Sequence, residues 1–309
     1  GSNNPSEDYL EIWEFDVDWA TPGNSTFTKA QDIAISEFDS DLCGYFSFNC
    51  FPQLGTAVTL DPLREVVMWR LQYRNSGTHE TLVGNMVTDV NGNDQGGIRW
   101  FELRKSGASW TVYQEGTHAP DSNSRWLGSI AMDGVGNMAL GYSVSSPSMY
   151  PGIRYTGRQS SDPLGTMVGE YTIINGGGYS SSNRWGDYSS MNVDPVDDCT
   201  FWYTMEYPNA NNNWDTQIAS FAFDSCTNPV SWDNQIFVTQ STDYGTSWNA
   251  PTQITNNTDE QYHPRIAAAI GNDSVVVAYT RDWVSTGDTD VMYYYSTDGG
   301  ATWNGENSL

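Results

Sequence analysis

Three arginines in this sequence each come just before a run of small and apolar residues. Their positive charges could bind a ligand. With their neighbours, the candidate ligand-binding residues are Arg125, Trp126, Arg184, Trp185, His263 and Arg265. A guanidinium group can hold a carboxylate through two parallel hydrogen bonds, and an aromatic ring can stack on the face of a sugar. The pattern favours a carboxylate or carbohydrate site. The alternative is that each arginine pairs with a nearby acid and braces the fold.

A short acidic segment offers a second kind of chemistry. Asp89, Asn91 and Asn93 place side-chain oxygens at alternate positions, as the start of a calcium-binding loop does. The segment lacks the glycine and the glutamate that complete an EF-hand, so the alternative is a plain polar hairpin loop. Calcium is the one cofactor that the sequence suggests.

An eight-residue pattern, S-x-D-x-G-x-x-W, occurs twice after strand-like runs. Its fixed residues are Ser241, Asp243, Gly245 and Trp248 in the first copy, and Ser296, Asp298, Gly300 and Trp303 in the second. Short Asp and Ser side chains can accept hydrogen bonds from nearby backbone N–H groups and close a turn, while glycine supplies positive φ. The tryptophan is expected to fold back as an apolar plug.

This pattern resembles the Asp box, or BNR repeat, of sialidases and related β-propeller proteins. In that family the box joins the third and fourth strands of a blade, away from the active site, which implies a structural role for Asp243 and Asp298. Sialidases also use three arginines for a carboxylated sugar, but this sequence has no matching nucleophilic Tyr–Glu pair. Segments 125–133 and 184–195 look like parts of uncharacterised secreted bacterial propeller proteins.

Four strand–turn–strand repeats would position the candidate binding residues. They cover 56–70, 129–142, 190–203 and 265–279, and their turns contain Asp-Pro, Asp-Gly or Gly-Asn pairs. The flanking runs are small and apolar, as expected for the inner strands of a propeller blade. Further strand-like runs follow each repeat, and repeated units of about four short strands indicate a propeller.

The repeats therefore predict an all-β protein, a β-propeller of about six four-stranded blades, in a range of roughly five to seven. We expect one domain over 1–309, or alternatively a main propeller segment over 1–226 followed by Asp-box blades over 227–309. In addition to these four complete repeats, the sequence contains two partial ones, and the unbalanced pieces lie at its two ends. Either they complete a shared blade, or a longer parent chain, a partner or self-association covers the open sheet edges.

The composition fits a β-rich protein and argues against nucleic acid as a partner. Aromatic residues make up 14% and charged residues 17% of the chain, which suits many short strands and long loops. The net charge of −25 disfavours nucleic acid, because affinity for it depends on neutralising phosphates. We also expect no membrane insertion, because no apolar run is long enough for a membrane span.

The four cysteines point to an oxidising compartment. Cys43 and Cys50 bracket a short aromatic loop, while Cys199 and Cys226 lie in or after strand-like runs. We therefore expect two disulfides, and with them an extracellular or cell-surface location. Four buried free thiols are the alternative, whereas a zinc site is disfavoured because the chain has no C-x-x-C pair.

Taken together, these features favour binding over catalysis. We expect a secreted or cell-surface propeller that acts as a glycan- or protein-binding or assembly module, with calcium as a stabilising ion. The alternative is a sialidase-like exo-glycoside hydrolase that uses Arg125, Arg184 and Arg265. A pocket with converging arginines and paired carboxylates would favour the hydrolase; arginines that are each tied to a structural acid would favour the binding module.

Overall fold

The computed structural model describes residues 8–44, 47–226, 235–241, 246–256, 260–269, 273–283 and 288–308. Apart from one turn of 3-10 helix at Pro22–Asn24, the regular structure of these residues consists of β-strands. The chain divides into two compact units, Gly1–Thr227 and Asn228–Leu309. The all-β prediction is therefore confirmed.

The first unit contains a hairpin, two four-stranded sheets and a three-stranded sheet. The strands are β1 (Asp8–Asp16), β2 (Thr26–Ile35), β3 (Gln72–Asn75), β4 (Glu80–Asp89), β5 (Gly96–Lys105), β6 (Trp110–His118), β7 (Ser124–Met132), β8 (Met138–Ser146), β9 (Met149–Arg158), β10 (Val168–Ile174), β11 (Ser190–Val193), β12 (Phe201–Pro208) and β13 (Trp214–Phe221). The hairpin pairs β1 with β2, and the sheet orders are β3-β4-β5-β6, β7-β8-β9-β10 and β11-β12-β13. A four-stranded meander is the strand order of a propeller blade.

Hydrophobic clusters hold these sheets face to face. Leu10 of the hairpin joins a cluster with residues of β5. Trp100 of β5 packs in a second cluster with Leu140 of β8. A third contains Ala139 of β8 and Phe201 of β12. Because neighbouring residues of a strand face opposite sides of the sheet, β8 contributes to two cores at once.

The β7–β10 sheet is the most enclosed part of the first unit. Every residue of β7 and β8 is buried, which explains why these strands are rich in small residues and lack strict polar alternation. Gly141 shows how close the next sheet lies, because a Cβ atom there would come within 2.5 Å of the Tyr203 ring. A larger residue at that position would push the two sheets apart.

The second unit contains a short two-stranded sheet and a four-stranded meander. Its strands are β14 (Phe237–Val238), β15 (Thr252–Gln253), β16 (Glu260–Ala268), β17 (Val275–Trp283), β18 (Asp288–Ser296) and β19 (Asn304–Ser308), in the orders β14-β15 and β16-β17-β18-β19. The core consists of Ile236, Val277, Tyr279 and Met292, with Trp303 packed against it.

Three of the four predicted repeats form the expected hairpins. Segment 129–142 contains paired parts of β7 and β8, and segment 190–203 contains β11 with the paired part of β12. Segment 265–279 contains paired parts of β16 and β17. The turn residues 270–272 of the last repeat lie outside the described residues.

The prediction of a strand pair over 56–70 is wrong. Here the chain forms loops, and the first four-stranded sheet begins instead at Gln72. Leu63, Glu65 and Arg70 adopt positive φ angles of 51°, 65° and 76°, which are incompatible with extended strand conformation. The apolar character of this segment serves loop packing rather than strand pairing.

Both predicted disulfides are present, joining Cys43 to Cys50 and Cys199 to Cys226. The first closes the loop that carries Phe48, and the second joins the residues flanking the β12–β13 hairpin. Within the described residues, no helix has the length and hydrophobicity needed to cross a membrane.

Candidate functional site

Arg125 is a structural residue rather than a ligand-facing one. Its side chain is completely buried, and its Nε and Nη2 atoms donate to the two carboxylate oxygens of Glu170 at 2.6 and 3.0 Å. Its Nη1 atom donates to Asp121 Oδ1 and to the Asn123 carbonyl oxygen, both at 2.8 Å. These acids occupy the guanidinium group, so Arg125 braces β7 against β10.

A tyrosine and a histidine complete this buried network. The Tyr142 hydroxyl donates to Glu170 Oε2 at 2.7 Å, and His118 Nε2 lies 2.8 Å from the same hydroxyl oxygen. Burial raises the pKa of Glu170, but hydrogen bonds from His118, Arg125 and Tyr142 outweigh burial and hold that pKa well below its ordinary value. Burial and the Glu170 charge raise the pKa of Tyr142. The network therefore keeps an ionised glutamate beside a protonated tyrosine.

The two predicted tryptophans belong to the core. Trp126 has no exposed surface and packs edge-on against Phe51, with ring centres 5.4 Å apart. Trp185 is 2% exposed, and its Nε1 atom donates to Ser143 Oγ at 3.1 Å. Neither ring is available for stacking on a sugar in this structure.

The remaining candidate residues, Arg184, His263 and Arg265, are exposed. Arg184 pairs with Asp187, and its side chain is 64% exposed. In the second unit, Arg265 Nη1 donates to the Pro264 carbonyl oxygen at 3.0 Å, and His263 Nδ1 lies 3.4 Å from Thr280 Oγ1. A ligand-binding role for these three residues stays a prediction.

The predicted calcium segment forms a self-contained hairpin loop. Asp89 Oδ1 accepts hydrogen bonds from the backbone N–H groups of Asn91 and Gly92 at 2.9 and 3.0 Å. Asn91 Oδ1 accepts another from the Asn93 N–H at 2.9 Å. The described part of the chain has no cluster of three His, Cys, Asp or Glu side chains placed to hold a metal. Calcium binding by Asp89, Asn91 and Asn93 stays a prediction.

The second S-x-D-x-G-x-x-W copy closes the turn between β18 and β19. Asp298 Oδ1 accepts from the Thr302 N–H, and Ser296 Oγ accepts from the Gly300 N–H, both at 2.8 Å. Hydrogen bonds from the Thr302 hydroxyl and N–H lower the pKa of Asp298 to about 2. Trp303 packs on the core of the second unit as expected.

The first copy is described only in part. Asp243 and Gly245 lie outside the described residues. Trp248 is 63% exposed, so it does not form the apolar plug that the pattern predicted. The two copies therefore differ in how far their tryptophans are buried.

One candidate site is a cleft of about 340 Å³ on the β11–β13 sheet, which we call the aromatic cleft. Its lining includes Trp69, Tyr188, Ser190, Thr204, Glu206 and Thr216. Thr204 and Glu206 share one face of β12, because their positions differ by two. Ser190 and Thr216 stand opposite them on the neighbouring strands. Alternation along three strands thus gathers four polar side chains on one surface.

Two aromatic rings from loops border this polar surface. Trp69 and Tyr188 are 52% and 60% exposed. Their ring centres lie 6.4 Å apart at an interplanar angle of 79°. Trp69 Nε1 donates to the Ser189 carbonyl oxygen at 3.3 Å, which orients the indole. Exposed rings held at a right angle over hydroxyl and carboxyl groups can take a ligand that is apolar on its faces and polar at its edges.

Glu206 gives the aromatic cleft its titratable group. Its Oε1 atom accepts a hydrogen bond from the Gly186 N–H at 2.9 Å. Burial raises the pKa of Glu206, and the nearby negative charge of Asp187 raises it further. A carboxyl group whose pKa is raised in a cleft can donate a hydrogen bond or a proton at higher pH than an ordinary glutamate.

A second cleft, of about 410 Å³, lies on the same two loop segments. Its lining includes Phe48, Asp61, Leu63, Arg64, Asn183 and Arg184. Of the predicted site residues, only Arg184 belongs to this lining. We call it the arginine cleft.

Sequence reasoning missed the aromatic cleft. The predicted strand pair over 56–70 includes Trp69, which lies instead in a loop next to Arg70, a residue with positive φ. Tyr188 lies in segment 184–195, where the residue types favour Arg184 and Trp185 as ligand contacts instead. Glu206 carried a usable signal, since it alternates with buried Tyr203 and Met205 along β12 and so must face away from the core.

Comparisons with known proteins give only distant structural similarity. No protein-family model matches the chain, and no curated protein matches it. The endo-arabinase from Bacteroides thetaiotaomicron VPI-5482 is 11% identical, covering 79% of this chain and 82% of that one, with a TM-score of 0.29. The alpha-L-arabinofuranosidase Arb93A from Fusarium graminearum is 11% identical, covering 79% and 70%, with a TM-score of 0.29. Trypanosoma rangeli sialidase is 12% identical, covering 77% and 38%, with a TM-score of 0.28. Similarity at this level assigns no activity or ligand to the chain.

Proposed function

We propose that this protein is a glycan-binding module that acts outside the cytoplasm, and that the aromatic cleft is its binding site. The observation that carries this proposal is the pair of exposed rings, Trp69 and Tyr188, beside the carboxyl group of Glu206. The C–H groups on the face of a sugar ring are attracted to the negative face of an aromatic ring. The hydroxyl groups at its edges match the Ser, Thr and Glu side chains of the cleft.

Two further features support this proposal. The two disulfides favour an oxidising, extracytoplasmic compartment. The four-stranded meanders are consistent with the blades of a β-propeller, for which we propose about six blades. Calcium bound at the Asp89 loop would act as a stabilising ion in this proposal, without a part in the cleft.

A glycan array followed by calorimetry on the best ligands tests the binding function. Trp69→Ala and Tyr188→Ala should each weaken binding by roughly 1–2 kcal/mol, or about 5- to 30-fold, because each removes a stacking surface. Trp19→Ala is the matched control, since Trp19 is an exposed tryptophan, at 87%, outside the described lining of the cleft. Equal affinity in wild type and both cleft variants would contradict the proposal.

A second candidate function is glycoside hydrolysis at the same cleft. The raised pKa of Glu206, which lines the cleft, favours it, because a glycoside hydrolase needs a protonated carboxyl group as its general acid. Sugar recognition by Arg125, as a sialidase-like enzyme would require, does not fit, since Glu170 and Asp121 occupy that guanidinium group.

Chromogenic glycosides separate the two candidates. A hydrolase predicts turnover that Glu206→Gln abolishes while binding persists, because the amide cannot supply the proton. The binding module predicts no turnover by the wild type and no change in turnover for Glu206→Gln. Turnover that survives Glu206→Gln would exclude Glu206 as the acid.

A further inference from the structure

The aromatic cleft and the arginine cleft are built on the same pair of chain segments. Residues 61–69 and 183–190 run beside each other and are joined at both ends. At one end the Asp61 N–H donates to the Asn183 carbonyl oxygen at 3.0 Å. At the other, Trp69 Nε1 donates to the Ser189 carbonyl oxygen at 3.3 Å. These bonds fix the alignment of the two segments.

The order of the lining residues makes the two clefts neighbours. Along the first segment, Asp61 and Arg64 line the arginine cleft and Trp69 lines the aromatic cleft. Along the second, Arg184 lines the arginine cleft and Tyr188 the aromatic cleft. Four residues of extended chain span at most about 14 Å, so Arg184 and Tyr188 are within reach of one elongated ligand.

The arginine cleft has its own means of holding a sugar. Phe48 is 67% exposed and lies under the Arg64 guanidinium, whose Cζ is 5.7 Å from the ring centre. The Cys43–Cys50 disulfide closes the loop that carries Phe48. Arg184, with an exposed side chain, presents planar N–H groups that can donate to adjacent hydroxyl oxygens. An aromatic surface with polar donors thus occurs in both clefts.

The charges around the two clefts select against acidic ligands. The acids are Asp61, Glu65, Asp187 and Glu206, and the bases are Arg64, Arg184 and Arg70, whose guanidinium Cζ lies 5.8 Å from the Trp69 ring centre. Acids therefore outnumber bases, and two of the three bases have acidic partners, since Arg64 pairs with Glu65 and Arg184 with Asp187. With a net chain charge of −25, a uronic or sialic acid would meet electrostatic repulsion.

We infer that the two clefts form one continuous groove, which binds a neutral oligosaccharide along several consecutive sugar residues rather than a single terminal sugar. This inference rests on the proposed glycan-binding function. The aromatic cleft holds one part of the chain, and Phe48 and Arg184 hold the next. Affinity then depends on chain length, because a short ligand fills only one cleft.

Calorimetry with graded oligosaccharides tests the groove. The probes are gluco-, xylo-, manno- and arabino-oligosaccharides from monosaccharide to hexasaccharide, with galacturonic acid oligomers of the same lengths as the acidic arm. In at least one neutral series, affinity should rise with length and then level off. Phe48→Ala should weaken binding of the longest oligomers about tenfold and leave the shortest ligand unchanged. Trp69→Ala should weaken binding of the longest oligomers and of the shortest ligand alike.

Phe15→Ala is the matched control, because Phe15 has the same 67% exposure as Phe48 and lies outside the described lining of both clefts. Affinity that does not depend on oligosaccharide length would overturn the inference of a continuous groove, and so would long-chain binding that Phe48→Ala leaves unchanged. In either case, weaker binding of short ligands by Trp69→Ala would still support the proposed glycan-binding function. Equal or tighter binding of galacturonic acid oligomers would overturn the neutral-ligand inference. If no oligosaccharide binds, or if Trp69→Ala weakens the binding of none of them, both the glycan-binding function and the continuous groove are overturned.

Discussion

The β7–β10 and β16–β19 sheets have the same strand order and share a three-residue clamp. The clamp consists of Arg125, Tyr142 and Glu170 in the first sheet, and of Arg281, Tyr279 and Glu306 in the second. In both, a tyrosine on the second strand and an arginine donate to a glutamate on the fourth strand. Burial raises the pKa of both tyrosines, and the glutamate charge adds to it, so each tyrosine keeps its proton.

The arginine of the clamp comes from a different strand in each sheet. Arg125 lies on the first strand and Arg281 on the second. In the β3–β6 sheet, Arg99 on the third strand pairs with Glu115 on the fourth. The acid on the fourth strand is therefore the constant feature, while the guanidinium group can reach it from any of three strands. This explains why arginine spacing in the sequence is a poor guide to a ligand site.

The two sheets differ in how many of their faces are covered. Every residue of β7 and β8 is buried. In the second sheet, Val277 and Met292 face a core, whereas Val276 and Val291 are 39% and 44% exposed on the opposite face. The same strand order and clamp are thus compatible with two covered faces or with one. Packing, rather than the clamp, accounts for the greater burial of the first sheet.

The largest expected effect comes from removing the charge of each clamp. Glu170→Gln removes the carboxylate that Nε and Nη2 of the fully buried Arg125 contact and leaves Asp121 on Nη1, and losing one member of a buried pair costs roughly 3–5 kcal/mol of unfolding free energy. Glu306→Gln should cost less, since the Arg281 side chain is 9% exposed and so better hydrated. Hydrogen exchange of peptides from each sheet measures the two effects separately. Glu37→Gln, an exposed acid, is the control. Equal protection losses in both sheets would mean that burial does not set the strength of the clamp.

Truncating an aliphatic side chain tests the difference in covered faces. Leu140→Ala on β8 should lower the unfolding free energy by about 2–5 kcal/mol, because Leu140 is fully buried between sheets. Val291→Ala on β18 should change it by less than about 0.5 kcal/mol, as expected at an exposed position. Urea unfolding followed by hydrogen exchange in each sheet checks this. A large loss for Val291→Ala would show that its face is covered in solution.

The smallest effect concerns the turn between the third and fourth strands of the second sheet. The pKa of Asp298 is lowered to about 2, below its value in an unfolded chain. Its hydrogen bonds therefore stabilise the turn above roughly pH 4 and are lost as the pH falls through the folded pKa. The NMR shift of the Thr302 amide proton should titrate with a midpoint near pH 2. A midpoint at the ordinary aspartate value would show that these bonds do not form in solution.

Much of the strand framework could be predicted from the sequence. The Asp133-Gly134 and Asp194-Pro195 turns marked two hairpins correctly, because short-range turn chemistry is written in adjacent residues. Both cysteine pairings were also predictable, since each pair brackets a local segment. The 56–70 segment failed because its β-branched residues suggested a strand, whereas left-handed φ angles at Leu63 and Glu65 depend on the surrounding loops.

The candidate site was much harder to predict than the framework. Trp69 and Tyr188 are separated by more than a hundred positions in the sequence, and only the alignment of two loops brings their rings together. Conversely, Arg125 and Trp126 have the residue types of a sugar site but lie buried. Residue type indicates which chemistry is available; exposure, which depends on tertiary packing, decides whether it is used.

The Cys199–Cys226 disulfide has a mechanical consequence. Tension applied between the first unit and the chain beyond residue 226 passes through the sulfur–sulfur bond and bypasses residues 200–225. That bypassed loop contains the whole β12–β13 hairpin, with Glu206 and Thr216 of the aromatic cleft. Because the disulfide carries the applied force, the hydrogen bonds between β12 and β13 would not be pulled apart. This part of the aromatic cleft would therefore keep its structure under tension.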